Sequence, residues 1–168
     1  MPLAASARQF LTDTGLPGRV YYFSFSRLAD RIETLEQCVD ILRSEETYVL
    51  GNYRFHLDEG EYLVIGEVGW GRPPVLDFVC LPVGEDIVYV ANVPDDQLVF
   101  VNSSLRRFSE SLAALADCAL PGTGCDGTAA DGAAAARLRN AIGRVDPSAL
   151  EPGHYWPSLI DRVETGDL

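Results

Sequence analysis

Between residues 62 and 115 the spacing of apolar positions changes once, and the change divides a sheet from a helix. Tyr62 to Val68 is a short apolar run that stops among Gly66, Gly69 and Gly71, with Pro73 and Pro74 beyond. Val75 to Leu81 is a second run, closed by Pro82 and Gly84, and Ile87 to Val90 is a third, closed by Asn92 and Pro94. Short β-branched and aromatic runs punctuated by Gly, Pro and Asp predict strands with turns between them. Their short connections predict antiparallel neighbours, because a parallel crossover takes about a dozen residues or more. Leu98 to Val101 is again apolar. Leu105, Phe108, Leu112 and Leu115 then step by three, four and three, one face of a helix. Asn102 or Ser103 is the expected cap, and Arg106, Arg107 and Glu110 fall on the wet face.

Outside this stretch the pattern predicts more helix than strand. Ser6 to Thr12 reads as a first helix anchored by Phe10 and Leu11 and ended by Gly15-Leu16-Pro17-Gly18. Tyr21 to Phe25 reads as a strand or an extended segment. Leu28, Ile32, Leu35, Val39 and Leu42 predict an amphipathic helix. Tyr48 to Leu50 and Tyr53 to Leu57 predict two short strands around Gly51-Asn52, with a further turn at Asp58-Glu59-Gly60. Cys118 to Gly132, rich in Gly, Ala and small polar residues, predicts an exposed loop, and Ala133 to Ile142 a helix. Asp146-Pro147 has the cap-then-proline order that opens a helical turn. Trp156, Leu159, Ile160 and Val163 form a last apolar face, stopped by Gly166. No repeat or linker divides the 168 residues, so a single domain spanning 1–168 is expected.

Charge narrows the partners. The chain has 25 acidic and 13 basic residues, a formal net charge of −12. Residues 30–67 hold ten carboxylates against three arginines, a net −7. Nucleic acid and anionic membranes are bound through positive charge, so neither is an expected partner, whereas a cationic protein would be steered inward. No apolar run approaches the roughly 20 residues of a membrane helix. The N-terminus MPLAASARQF lacks the apolar core of a secretory signal, so a cytoplasmic location is expected.

Candidate chemistry is sparse. Cys38, Cys80, Cys118, Cys125, His56 and His154 have no metal-ligand spacing, so no metal is expected and the thiols are expected free. GEVGWGRPP follows a strand but lacks the Gly-Lys-Ser/Thr ending of a phosphate loop, and Pro73-Pro74 blocks a helix where the anion would sit. There is no GxSxG elbow and no kinase signature. Neither histidine has triad-like spacing to a nucleophile and a carboxylate. The expectation is a protein without catalytic residues or cofactor.

Several stretches in order resemble the SUKH superfamily, and most its fourth subgroup of bacterial immunity proteins. These are Gly15-Leu16-Pro17 after the first helix, Tyr62 to Gly66 before the glycine-rich turn, Cys80-Leu81 with Gly84 and Val88-Tyr89, Phe100-Val101-Asn102-Ser103-Ser104-Leu105 with Phe108, and Trp156 with Leu159 and Ile160. The resemblance implies an α+β fold, with a central, mostly antiparallel sheet and helices packed around it. It also implies a non-catalytic role: binding and neutralising a cognate polymorphic toxin, of the nuclease or deaminase kind. The alternative is a regulatory interaction module without a toxin, like the superfamily's eukaryotic members, and a third reading is a small-molecule domain using the glycine-rich turn. A toxin acting on nucleic acid needs a basic cleft, which an acidic protein approaches fast and can then block. Trp70, Tyr53 and Tyr155 are the expected anchors, and Glu59, Glu61, Glu67, Asp95 and Asp96 the expected steering charges.

Overall fold

The computed structural model describes residues 3–20, 22–25, 61–69, 77–92, 97–119 and 132–166. The helix expected over residues 28–42, the strands expected within 48–57 and the turn at 58–60 lie outside them, as does all of the expected 118–132 loop except its first two and last residues. Described strands are β1 (Arg19–Val20), β2 (Phe23–Ser24), β3 (Tyr62–Val68), β4 (Asp77–Pro82), β5 (Val88–Asn92) and β6 (Gln97–Asn102). They form one sheet in the order β1-β2-β3-β4-β5-β6, each neighbour antiparallel to the last. The helices are α1 (Ala5–Asp13), α2 (Leu105–Ala119), α3 (Gly132–Val145) and α4 (Tyr155–Thr165), with a 3-10 turn at Pro147–Leu150. The architecture is the expected α+β one.

β3 has the predicted bounds. Among described residues β4 begins at Asp77, and β5 runs to Asn92, two residues past the predicted end. The apolar run Leu98 to Val101, expected only to lead into the helix, is itself the core of β6. Register shifts between Val64 and Gly66 and between Val88 and Tyr89 reset which side chains share a face. At the first of these sites glycine is required sterically. A Cβ on Gly66 would lie 2.5 Å from the Phe25 ring, which occupies that space.

The core between sheet and helices follows from the apolar faces. Leu105, Phe108, Leu112 and Leu115 of α2 are all buried, as the three-four-three spacing predicts. They meet Phe23, Ile65, Val79, Leu81, Val88, Val90 and Val101 from the sheet, with Leu138 and Ile142 of α3 and Trp156, Leu159 and Ile160 of α4. Gly166 ends α4 at φ 78°, and Gly15 follows α1 at φ 73°, the left-handed conformation in which a Cβ would be strained. The other face of the sheet is buried too: Val64, Phe78, Cys80 and Ala91 are each 5% exposed or less.

The cap of α2 is not the predicted one. Ser104 supplies it, its Oγ accepting from the Arg107 amide at 3.2 Å, while Asp86 Oδ1 accepts from the Leu105 amide at 3.1 Å. Asn102 and Ser103 are drawn elsewhere. Asp146 does precede Pro147 at the 3-10 turn, but its carboxylate does not accept from the turn's amides. It points into the same place as Asn102.

Candidate functional site

Among the described residues a buried polar cluster is centred on Asn102, where β6 hands over to α2. Asn102 Oδ1 accepts from the Trp156 indole N–H at 3.0 Å. Its Nδ2 donates to Ser111 Oγ at 3.2 Å and to Asp146 Oδ2 at 3.1 Å. All four residues are fully buried. Asp146 Oδ2 also accepts from the Ser103 amide at 2.7 Å, and Oδ1 from Ser148 Oγ at 2.8 Å and Arg107 Nη1 at 3.3 Å. Arg107 Nη1 reaches Ser103 Oγ as well, at 2.6 Å. Burial pushes the Asp146 carboxyl upward. The hydrogen bonds from the Ser103 amide, Ser148, Asn102 and Ser103 outweigh it and hold the group below the usual carboxylate range.

This arrangement fastens elements together. Four donors use the roughly four lone-pair sites of the Asp146 carboxylate, so no acceptor is left for a substrate proton. Asn102 of β6, Ser111 and Arg107 of α2 and Trp156 of α4 meet the loop before the 3-10 turn at a single point. A buried carboxylate is tolerable there because it is fully hydrogen-bonded and faces an arginine.

A different arrangement lies two residues earlier on β6. The register shift at Val88/Tyr89 pairs Asn102 with Val88 but Phe100 with Tyr89, so Phe100, packed at the margin of the core, projects beside Tyr89 and not beside Asn102. Its ring centroid lies 5.9 Å from Tyr89, directly across on β5, edge to face at 87°. Tyr89 in turn stands 6.5 Å from Tyr62 at the start of β3. On the other side His154, just before α4, lies 4.6 Å from Phe100. The His154 Nδ1 is 2.8 Å from the Ser148 carbonyl, which can only accept, so Nδ1 carries a proton. All four rings are half-buried, unlike Val64, Cys80 and Ala91 on the same side.

Charge beside this aromatic row is negative. Glu61 precedes Tyr62 and Glu85 follows the Val83-Gly84 turn, and both are exposed. The Val83 amide donates to the Glu61 carbonyl at 2.9 Å, which holds the two acidic positions at one end of the sheet. The Tyr62 hydroxyl is pushed above its ordinary pKa by burial first, and then by Cys80, Tyr89 and Glu85. Tyr89 is raised by burial, then by Glu85 and Cys80.

The residues singled out from sequence do not gather in one place. Tyr155 packs its ring 5.7 Å from Phe23 and 6.1 Å from Trp156. Its hydroxyl is buried without a hydrogen-bond partner, and burial pushes its pKa up. Glu61 and Glu67 mark opposite ends of β3, about 20 Å apart at strand rise. Glu61 is exposed and Glu67 half-buried, opposite Ser24 and Phe78. Trp70, Tyr53, Glu59, Asp95 and Asp96 lie outside the described residues. Tyr62, Tyr89, Phe100 and His154 are not among the expected anchors or steering charges. Their one signal was that Tyr89 and Phe100 alternate with the core valines, and the pairing that joins them is not visible in a linear pattern.

Cys80 is buried, its thiol pushed up to about 12 chiefly by burial, and Cys118 is half-buried and also raised by burial. Neither has the lowered pKa of a reactive thiol. No group of His, Cys, Asp and Glu among the described residues could hold a metal ion. No helix among them is long and apolar enough to cross a membrane.

Comparison with known proteins gives one match. The family model described as SUKH-4 immunity protein matches residues 2–162. No curated protein and no solved structure matches.

Proposed function

Because the chain belongs to the SUKH-4 immunity protein family, we propose that it protects its cell by binding a cognate toxin directly, without catalysis, in the cytoplasm. The observation that carries this reading is the match across nearly the whole chain. The net charge of −12 favours a basic toxin domain, the kind that holds nucleic acid, and so a nuclease or deaminase. Complementary charge raises the association rate, and a protector must arrive before damage is done.

In this reading Glu59, Glu61, Glu67, Asp95 and Asp96 contribute to steering, and Trp70 and Tyr53 are anchors. Tyr155 supports the fold beneath: its ring rests on Phe23 and Trp156. The fully satisfied Asn102–Asp146 cluster holds the binding surface in shape rather than reacting with anything.

The test is protection. A toxin domain captured from lysate on the immobilised chain is expressed under an inducible promoter, with and without this chain, and viable counts are compared. Growth restored by the chain, together with loss of the purified toxin's activity on titration, is the expected result. Killing unaffected by the chain, with a host regulatory protein as its stable partner, would replace this reading with that of a toxin-independent interaction module.

A further inference from the structure

We propose that the aromatic row Tyr62–Tyr89–Phe100–His154, with its flanking Glu61 and Glu85, is the face that holds the partner, and that it takes a basic protein segment whose arginine or lysine side chains lie against the rings. This rests on the toxin-binding reading and names the surface and the chemistry it recognises.

Three observations carry it. The four rings form an unbroken series with centroid separations of 6.5, 5.9 and 4.6 Å, running from β3 across β5 and β6 to the N-terminus of α4. They stay half-buried while Val64, Cys80 and Ala91 on that side of the sheet are closed off, so among the described residues the row is a partly exposed stretch of this side. Half-open aromatic rings with polar tips are the side chains that most often dominate protein interfaces.

The surrounding charge selects the occupant. Strands β3 to β6 and the described residues joining them carry Glu61, Glu67, Asp77, Glu85 and Asp86 but no arginine. The negative charge of Glu85 is felt at both tyrosine hydroxyls. At the other end, exposed Glu151 lies three residues before His154, whose amide donates to the Glu151 carbonyl at 3.1 Å. Ring faces attract guanidinium and ammonium groups, and carboxylates at the edge add to that attraction. A neutral apolar segment would leave Glu61 and Glu85 without partners, and an acidic one would be repelled.

The experiment compares two charge-matched double variants of the full chain. Glu61→Arg with Glu85→Arg reverses the flank of the row. Glu110→Arg with Glu164→Arg makes the same change in net charge at exposed positions on α2 and α4. All four positions are exposed, so both variants should fold, and melting curves confirm it. Binding of a nine-residue oligo-arginine peptide is measured by anisotropy at low salt, and aromatic NMR resonances are followed during titration. The expected result is a loss of about tenfold for the flank variant, a much smaller loss for the control, and shifts of the Tyr62 and Tyr89 ring signals. Equal losses for the two variants, or unmoved ring signals, would overturn the proposal.

A parallel titration with the toxin domain separates the two levels of the claim. Weakened toxin binding confined to the flank variant supports this face. Unchanged toxin binding by the flank variant overturns the face and leaves the immunity reading standing. Failure of the unaltered chain to bind the toxin removes the immunity reading, with the peptide result still deciding whether the row takes basic segments.

Discussion

Asn102 and Phe100 are two residues apart on one strand and lead to opposite kinds of structure. Asn102 enters a closed polar cluster in which its three side-chain hydrogen bonds run to Ser111, Asp146 and Trp156, all without exposure. Phe100 enters a row of rings that stays half-open beside carboxylates with no arginine among them. The helix α4 touches both, giving Trp156 to the cluster and His154 to the row. The contrast teaches where each kind of residue is spent. Polar groups that cannot reach water are in the great majority hydrogen-bonded, and here those bonds fasten elements together. Aromatic groups tolerate partial exposure and keep surface available for a partner.

If that division holds, damage to the cluster should appear as lost stability. The largest effect is expected at Trp156. Trp156→Ala removes the largest fully buried side chain among the described residues and should cost about 3–5 kcal/mol, measured by urea unfolding. Asn102→Ala should follow at about 2–3 kcal/mol, because the Trp156 N–H and the Asp146 carboxylate each lose a buried partner. A midpoint within error of the unaltered chain would show that the cluster is not the fastening it appears from its hydrogen bonds.

Acid should open the same fastening more gradually. The folded-state pKa of Asp146 is held below its ordinary value of 3.8. Its contribution is therefore fully present above that value and is lost as pH falls through the lower folded value. Stability should decline on acidification below about pH 4, and Asp146→Asn should flatten that decline. The same substitution should lower neutral-pH stability by about 1–3 kcal/mol, since an amide nitrogen would replace one of the two acceptor oxygens and face either the Ser103 amide and Asn102 Nδ2 or Arg107 Nη1. An unchanged acid profile in the variant would place the titration elsewhere.

Smaller effects sharpen the contrast from the other side. Tyr155→Phe deletes a buried hydroxyl with no partner and should be neutral or stabilising by up to about 1 kcal/mol. A clear loss of stability would mean that the hydroxyl is engaged. On the row, Glu61→Arg with Glu85→Arg should move stability by no more than about 0.5 kcal/mol, as exposed substitutions usually do.

Periodicity carried most of the described fold. The three-four-three spacing from Leu105 located the buried face of α2, and Trp156, Leu159 and Ile160 located that of α4. The bounds of β3 were legible because glycines and polar residues bracket one apolar run. The cluster was not legible. Asn102 and Asp146 are 44 residues apart, and each stands where a short polar residue would also cap a helix. Local spacing favours the cap, and only the tertiary structure reveals the stronger competing partner. The row was hidden for a related reason: it is made by register, and the shifts at Val64/Gly66 and Val88/Tyr89 change which alternating positions meet. Tyr155 shows how narrow the margin is. Its neighbour Trp156 was read as core from its spacing, and Tyr155, one position off that face, still puts its ring against Phe23.

At the end of β6, Asn102 fastens the fold and Phe100 joins the row that takes the partner. The most direct measurement sets Asn102→Ala beside Glu61→Arg with Glu85→Arg, recording melting temperature and toxin affinity for each below the melting of both. The account predicts a lowered melting temperature with near-unchanged affinity for the first, and weakened affinity with an unchanged melting temperature for the second. Affinity that follows stability in both, or that is lost only in Asn102→Ala, would contradict it.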